Sequence, residues 1–311
     1  LTHLNPMRHR LNLTVKGGVF VRKVLIKDLR AVGVEVESGG EVFNVEADRV
    51  VLSAGALKSP HLLMLSGIGP KDQLEQFNIP VILELPGVGQ NLMNHLSAQV
   101  TYKVKDGLSL FGDVDAVHFS LQYTADGSSE ANDMLLRTTP MVDERPERVP
   151  GLRTQFLNND VPADRVARLS VTLGLPDGAG YVRLASADPS VQPTFNYCYL
   201  QHPNDKRRVR EGIRKAAEFL ESNAYKEVAD YRLHPTDDIL NDDDALDLYI
   251  RQTVGSARHV SGTCKMGPDS DPMAVVDQYC SVKGVQGLSV VDASVKPKIT
   301  RSGGSHATVL M

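Results

Sequence analysis

Tryptophan is missing from the 311 residues, and aromatic side chains make up only 5% of them. The sequence therefore offers no sign of an aromatic platform for stacking on sugars. Cysteine is scarce too. Cys198, Cys264 and Cys280 are odd in number and far apart, which argues against a disulfide framework and fits a reducing compartment. A cytoplasmic location is the expectation. No apolar run approaches the ~18 residues that span a bilayer. There is no long basic block, and the net charge of −4 argues against nucleic acid or an anionic membrane surface as the main partner. C-x-x-C and H-x-x-x-H are absent, so no metal site is expected. G-x-S-x-G is absent, so a serine triad has no local support.

What is present has the balance of a soluble globular protein, 41% apolar and 23% charged, with length enough for two domains. Residue 1 is Leu, and the final "GGSHATVLM" passes from small residues into an apolar run. Both ends read as cut, so a longer parent chain is expected.

Residues 11–54 alternate apolar and polar with glycine-rich breaks, which predicts several short strands. Val50-Val51-Leu52 reads as a short apolar strand. "SPHLLMLSGI" reads as a helix with Ser59 as N-cap, Pro60 at its first position, and Leu62, Leu63 and Leu65 on its buried face. A strand, a small-residue turn and a helix N-terminus form the kind of place where α/β proteins hold phosphate or ribose. Gly87 and Gly89 begin a G-x-G-x-x-G whose third position is Leu92, and they read as a structural turn.

The middle of the chain alternates again and predicts an antiparallel sheet, with Gly178 and Gly180 in a hairpin between "RLSVTLGLP" and "GYVRLASADP". Residues 204–221 place Val209, Ile213, Ala216, Ala217 and Leu220 on one face of a helix, with "DKRRVREGIRK" as its solvated side. "NDDDALDLYIRQTV" reads as a helix whose aspartates suit its positive end and which Gly255 can terminate.

His259 follows that helix in the stretch "SARHVSGTCKMG", where a loop can present it. On its own it reads as a buried structural histidine, a partner for a cysteine nucleophile at Cys264, or a catalytic base. The small apolar residues around Cys264 suggest burial.

Four stretches occur in order: "GALKSPHLLMLSGIGP" (55–70), "GVGQNLMNH" (87–95), "HVSGTCKMG" (259–267) and "GLSVVDASVKPKI" (287–299). Together they resemble the glucose–methanol–choline (GMC) oxidoreductase family of flavoproteins. The resemblance runs through nearly the whole chain. It implies an α/β fold: a partial FAD-binding Rossmann-like domain carrying an inserted α+β substrate domain with an antiparallel sheet. Residues 1–95 and 255–311 would belong to the FAD domain, and 96–254 to the substrate domain.

The implied activity is oxidation of a small-molecule alcohol to an aldehyde or ketone, with hydride passing to FAD. The electron acceptor that follows, oxygen, quinone or dye, is left open. Lyase or cyclase chemistry on the same scaffold is an alternative, and so is an incomplete, inactive fragment. The family's active-site histidine falls on His259, and an imidazole of ordinary pKa ~6.5 suits removal of a hydroxyl proton. The second active-site position falls on His306, with Ser305 as its rival.

Toward the cofactor, the resemblance puts Val21 beside the adenine. It puts Ala54, Gly55, Asn91 and His95 around the flavin nucleotide, and Asp292 and Ala293 by the pyrophosphate and ribityl chain. Asp292 also reads as a plain cap at a strand-to-helix turn. Asn94 stands where the family more often has Asp. The N-terminal G-x-G-x-x-G of the family is not in the sequence, so the missing half would come in cis or as a separate chain. The 311 residues alone are expected to bind FAD poorly.

Overall fold

The structure is a computed structural model that describes residues 4–108, 120–139, 161 and 165–301. Ser305 and His306 lie outside the described residues. Contacts divide the chain into two compact units, each assembled from discontinuous segments. One takes the described residues of Leu1–Gln90, Val182–Phe195 and Thr263–Val295. The other takes those of Asn91–Tyr181, Asn196–Gly262 and Lys296–Met311. Crossings between them thus fall at 90/91, 181/182, 195/196, 262/263 and 295/296.

The first unit opens with the short helix α1 (Leu4–Met7) and the antiparallel strands β1 (Phe20–Lys27), β2 (Arg30–Ser38) and β3 (Glu41–Glu46). Their turns have left-handed backbone at both central residues. Asp28 and Leu29 (φ 49° and 55°) make the first, Gly39 and Gly40 (60° and 84°) the second. That geometry matches the right-handed twist of paired strands. Next come β4 (Val50–Leu52), α2 (Gly55–Leu65), β5 (Ile68–Gly69), α3 (Lys71–Gln76) and β6 (Leu83–Glu84).

α2 starts five residues earlier than the sequence predicts, so Ser59 is not its N-cap and Pro60 lies inside it. A proline interior to a helix donates no N–H to the carbonyl four residues back, here Ala56. The hydroxyl of Thr263 fills the gap, donating to Ala56 O at 2.6 Å. The turn at Gly87 and Gly89 is structural: a Cβ on Gly87 would stand 2.1 Å from the carbonyl oxygen of Met273.

The second unit is built on one antiparallel sheet. Its strands are β7 (Leu96–Val104), β8 (Ser120–Tyr123), β9 (Met134–Thr139) and β10 (Val166–Leu173), joined by two later strands, at Ala229–His234 and Gly255–Ser256. β7 and β10 pair without interruption from Lys103↔Val166 to Leu96↔Leu173. The predicted hairpin after β10 does not form. β11 (Tyr181–Arg183) pairs with β12 (Thr194–Asn196) instead, because the N–H groups of Asp177 and Gly178 are drawn to the carboxylate of Asp205.

α4 (Pro203–Leu220) buries Val209, Ile213, Ala216, Ala217 and Leu220, as the periodicity predicts. Burying each large aliphatic side chain of that face is worth about 1.5–3 kcal/mol. Its charge run is not wholly solvated. Arg208 is only 1% exposed and pairs with Asp133 (2.7 Å), Asp205 (2.6 Å) and Asp177 (3.0 Å).

α5 (Asn223–Lys226), β13 (Ala229–His234), α6 (Asp237–Asn241) and α7 (Asp243–Thr253) follow. Asp242 caps α7 by accepting from Ala245 N–H at 2.8 Å. Gly255 does not terminate α7. It begins β14 (Gly255–Ser256), which pairs with Ser97 and Leu96 of β7. In the first unit, β15 (Leu288–Val290) runs parallel to β4 and enters a 3-10 turn at Ala293–Val295.

Candidate active site

His259 lies half-buried in the loop that follows β14. Two pairs of main-chain bonds hold the segment before β7. Leu92 exchanges bonds with Gly180 (2.9 and 2.8 Å), and Met93 exchanges two with Ser261 (both 2.9 Å). The N–H of Ala257 adds a bond to His95 O at 3.0 Å. The segment carrying Asn94 and His95 and the loop carrying His259 are thereby laid side by side.

Within that frame the two imidazoles meet. Nδ1 of His95 lies 2.9 Å from Nδ1 of His259, with the rings edge to face at 5.0 Å between centroids. Nε2 of His95 lies 2.9 Å from the carbonyl oxygen of Thr300. His95 is buried. Burial, and then the neighbouring His259, push its pKa down to about 4, while the Thr300 and Gly174 carbonyls oppose and Lys296 adds to the fall.

Asn94 holds the main chain of the same loop. Its oxygen accepts from His259 N–H at 2.8 Å, and its amide nitrogen donates to Tyr199 Oη (2.7 Å) and Ser256 Oγ (2.6 Å). An amide fits these partners without placing a charge in the protein interior. Asn91, left-handed at φ 61°, donates from its amide to the carbonyls of Gly262 (3.2 Å) and Pro297 (3.4 Å).

A second cluster lies in the first unit. Asp292, just after β15, accepts at Oδ2 from Gly55 N–H (2.8 Å) and Ser59 Oγ–H (2.5 Å), and at Oδ1 from Ser294 N–H (2.8 Å). Its carboxylate thus joins the start of α2 to the turn after β15. Ala54 is exposed, and Gly55 and Ala293 are half-buried, on that junction. Gly55 is at φ 82° with open space where a Cβ would stand. The first N–H of the 3-10 turn, that of Ala293, has no partner within the turn itself. An open glycine and main-chain groups at a turn fit the phosphate-bearing part of a dinucleotide. Val21 is in a different sheet, on β1 opposite Val36.

The structure therefore pairs His259 with His95, ties Asn91 to the main chain at Gly262 and Pro297, and groups Ala54, Gly55, Asp292 and Ala293 with one another. Tyr199, Ser256 and Thr300 were not legible in the sequence. Thr300 acts through its main chain, and the other two are single hydroxyls outside any motif. Cys264 is buried in the first unit and its thiol is pushed up by that burial, which removes the thiolate a nucleophile needs. Two surface hollows of about 420 Å³ each are lined mainly by charged side chains of α4 and its surroundings, and contain none of these residues.

The model of the GMC oxidoreductase family matches this sequence in its two parts, over residues 1–97 and 176–311. The chain belongs to the GMC oxidoreductase family. Among curated relatives, the oxygen-dependent choline dehydrogenase of Photobacterium profundum is 36% identical, over 99% of this chain and 56% of that protein. A GMC-type oxidoreductase of Rhodococcus erythropolis is 33% identical, over 99% of this chain and 57% of its own. The chain thus spans little more than half the length of the curated relatives it matches. Among solved structures, pyridoxine 4-oxidase superposes with a TM-score of 0.85 at 27% identity, covering 98% of this chain and 58% of that one. Formate oxidase superposes with a TM-score of 0.82 at 25% identity, covering 97% and 60%. The α/β architecture with an antiparallel second sheet is therefore that of this GMC fold.

Proposed function

We propose that this chain carries the base and part of the cofactor cradle of an FAD-dependent enzyme that oxidises an alcohol to an aldehyde or ketone. When bound, FAD supplies the acceptor for the hydride that leaves the alcohol carbon. Ala54, Gly55, Asp292 and Ala293 would hold it on the side of α2 and the 3-10 turn. His259 accepts the hydroxyl proton, so the O–H bond breaks and an N–H bond forms while the C–H pair departs. Without that transfer, positive charge would build on the oxidised carbon, so a base at this point lowers the barrier. The observation that carries the reading is the paired, half-buried His259 held by Asn94 and His95, in a member of a family of oxidoreductases.

By their names, three of the relatives above act on choline, pyridoxine and formate, all small molecules, and a small-molecule alcohol is the substrate class proposed here. The test is dye-linked alcohol turnover by the FAD-loaded enzyme and its His259→Gln variant. Loss of about 10²- to 10⁴-fold in kcat with the flavin retained is expected. Turnover equal to the parent's would end the reading.

A further inference from the structure

Both ring nitrogens of His95 are committed. The carbonyl of Thr300 can only accept, so the Nε2 facing it at 2.9 Å carries the proton. A neutral imidazole with a proton on Nε2 offers a lone pair at Nδ1. The atom that lone pair meets, at 2.9 Å, is Nδ1 of His259. For the contact to be a hydrogen bond, His259 must donate from Nδ1. Its own lone pair is then on Nε2. Thr300, His95 and His259 form a short directional series whose polarity is set at one end by a main-chain carbonyl.

We propose that His95 is the positioning residue of this site: it fixes His259 in the Nδ1–H form, so that Nε2 is the nitrogen that receives the substrate proton. The assignment rests on reading His259 as the base. It gives His95 a task other than contact with the cofactor, since no ring nitrogen of His95 is left for a flavin. The Nδ1–H bond is present before and after His259 takes up a proton, so the ring need not turn during the reaction. The low basicity of buried His95 keeps it an acceptor rather than a competitor for that proton. Partners that fix the tautomer of a metal-bound histidine are worth about 10- to 100-fold in affinity or activity, and an effect of the same size is expected of a partner that fixes the tautomer of a base.

Histidine-selective ¹⁵N NMR of the FAD-loaded enzyme tests the proposal, together with steady-state kinetics of His95→Leu and His95→Asn. In the parent, Nδ1 of His259 should carry the proton and Nε2 should not. In His95→Leu the two tautomers should mix, and kcat should fall about 10- to 100-fold with KM unchanged. In His95→Asn the amide oxygen takes the place of the acceptor, and the Nδ1–H form should persist with most of the rate. A parent His259 protonated on Nε2, or an unaltered tautomer in His95→Leu, overturns the proposal. Should both variants fail to fold, the parent spectrum decides alone. The Nδ1–H form found together with full activity in His259→Gln would sink the functional reading and leave the tautomer assignment standing.

Discussion

The side-chain oxygen of Asn94 accepts the main-chain N–H of His259 at 2.8 Å. Since the same amide donates to Tyr199 and Ser256, one side chain joins three parts of the second unit. Asn94→Leu removes all three bonds and leaves the His259 N–H unpaired. We expect a loss of about 1–3 kcal/mol in denaturant unfolding, together with slower turnover. Asn94→Asp keeps the acceptor for the His259 N–H, requires the Tyr199 and Ser256 hydroxyls to turn and donate to it, and adds a negative charge beside the imidazole pair. That charge favours the protonated ring, so the acid limb of the kcat/KM profile should move to higher pH. An unmoved limb would mean that position 94 does not sense the base.

Arg208 is the one deeply buried guanidinium among the described residues, and its three carboxylate partners differ in exposure. Burial raises the pKa of Asp133, but bonds from Ser128, Ala125 N–H and Arg208 outweigh it and hold the carboxyl low. Arg208→Met would strand Asp133 and Asp205 as charges in the interior. A penalty of about 3–5 kcal/mol is expected in urea unfolding. A much smaller cost would mean that water reaches those carboxylates.

Two buried histidines make stability depend on acid. His61 in the first unit and His95 in the second are each pushed down to about 4, mainly by burial. In the unfolded chain both titrate near the ordinary ~6.5, so between those values the unfolded state binds more protons. Their contribution is complete above pH ~6.5 and is lost as the pH falls toward 4. Thermal melts between pH 7 and 4 should decline over that window, and His61→Gln should flatten the decline.

Asp292 takes three donors on one carboxylate. Asn offers one oxygen where two are used, so Asp292→Asn turns an N–H toward donors. A cost of about 1–3 kcal/mol follows, and hydrogen exchange at Gly55 should quicken. If Gly55 exchanges as in the parent, the carboxylate is not what orders that turn.

Much of the architecture could be read from side-chain periodicity. The strands of 11–54 and the buried face of α4 follow because alternation and 3.6-residue spacing are local signals. The start of α2 could not, since Pro60 looks like a first-turn residue unless one knows that Thr263 satisfies the carbonyl it leaves bare. The hairpin after β10 failed for a similar reason: Asp205, distant in sequence, claims the turn's N–H groups. At the site, His259 was legible from its motif, and Asn94 was visible as an unusual residue without a role. The facing of His95 and His259 comes from strand register across 164 positions, which no window of sequence contains.

Proline at position 60 and a hydroxyl at position 263 are two halves of one requirement. A chain that replaces Pro60 with a residue bearing an N–H closes the helix by itself and releases position 263 from its duty. A chain that keeps Pro60 but loses the hydroxyl leaves a buried carbonyl dry. Across homologues the two sites should therefore drift as a couple, and in the laboratory the double replacement should be milder than the sum of the single ones.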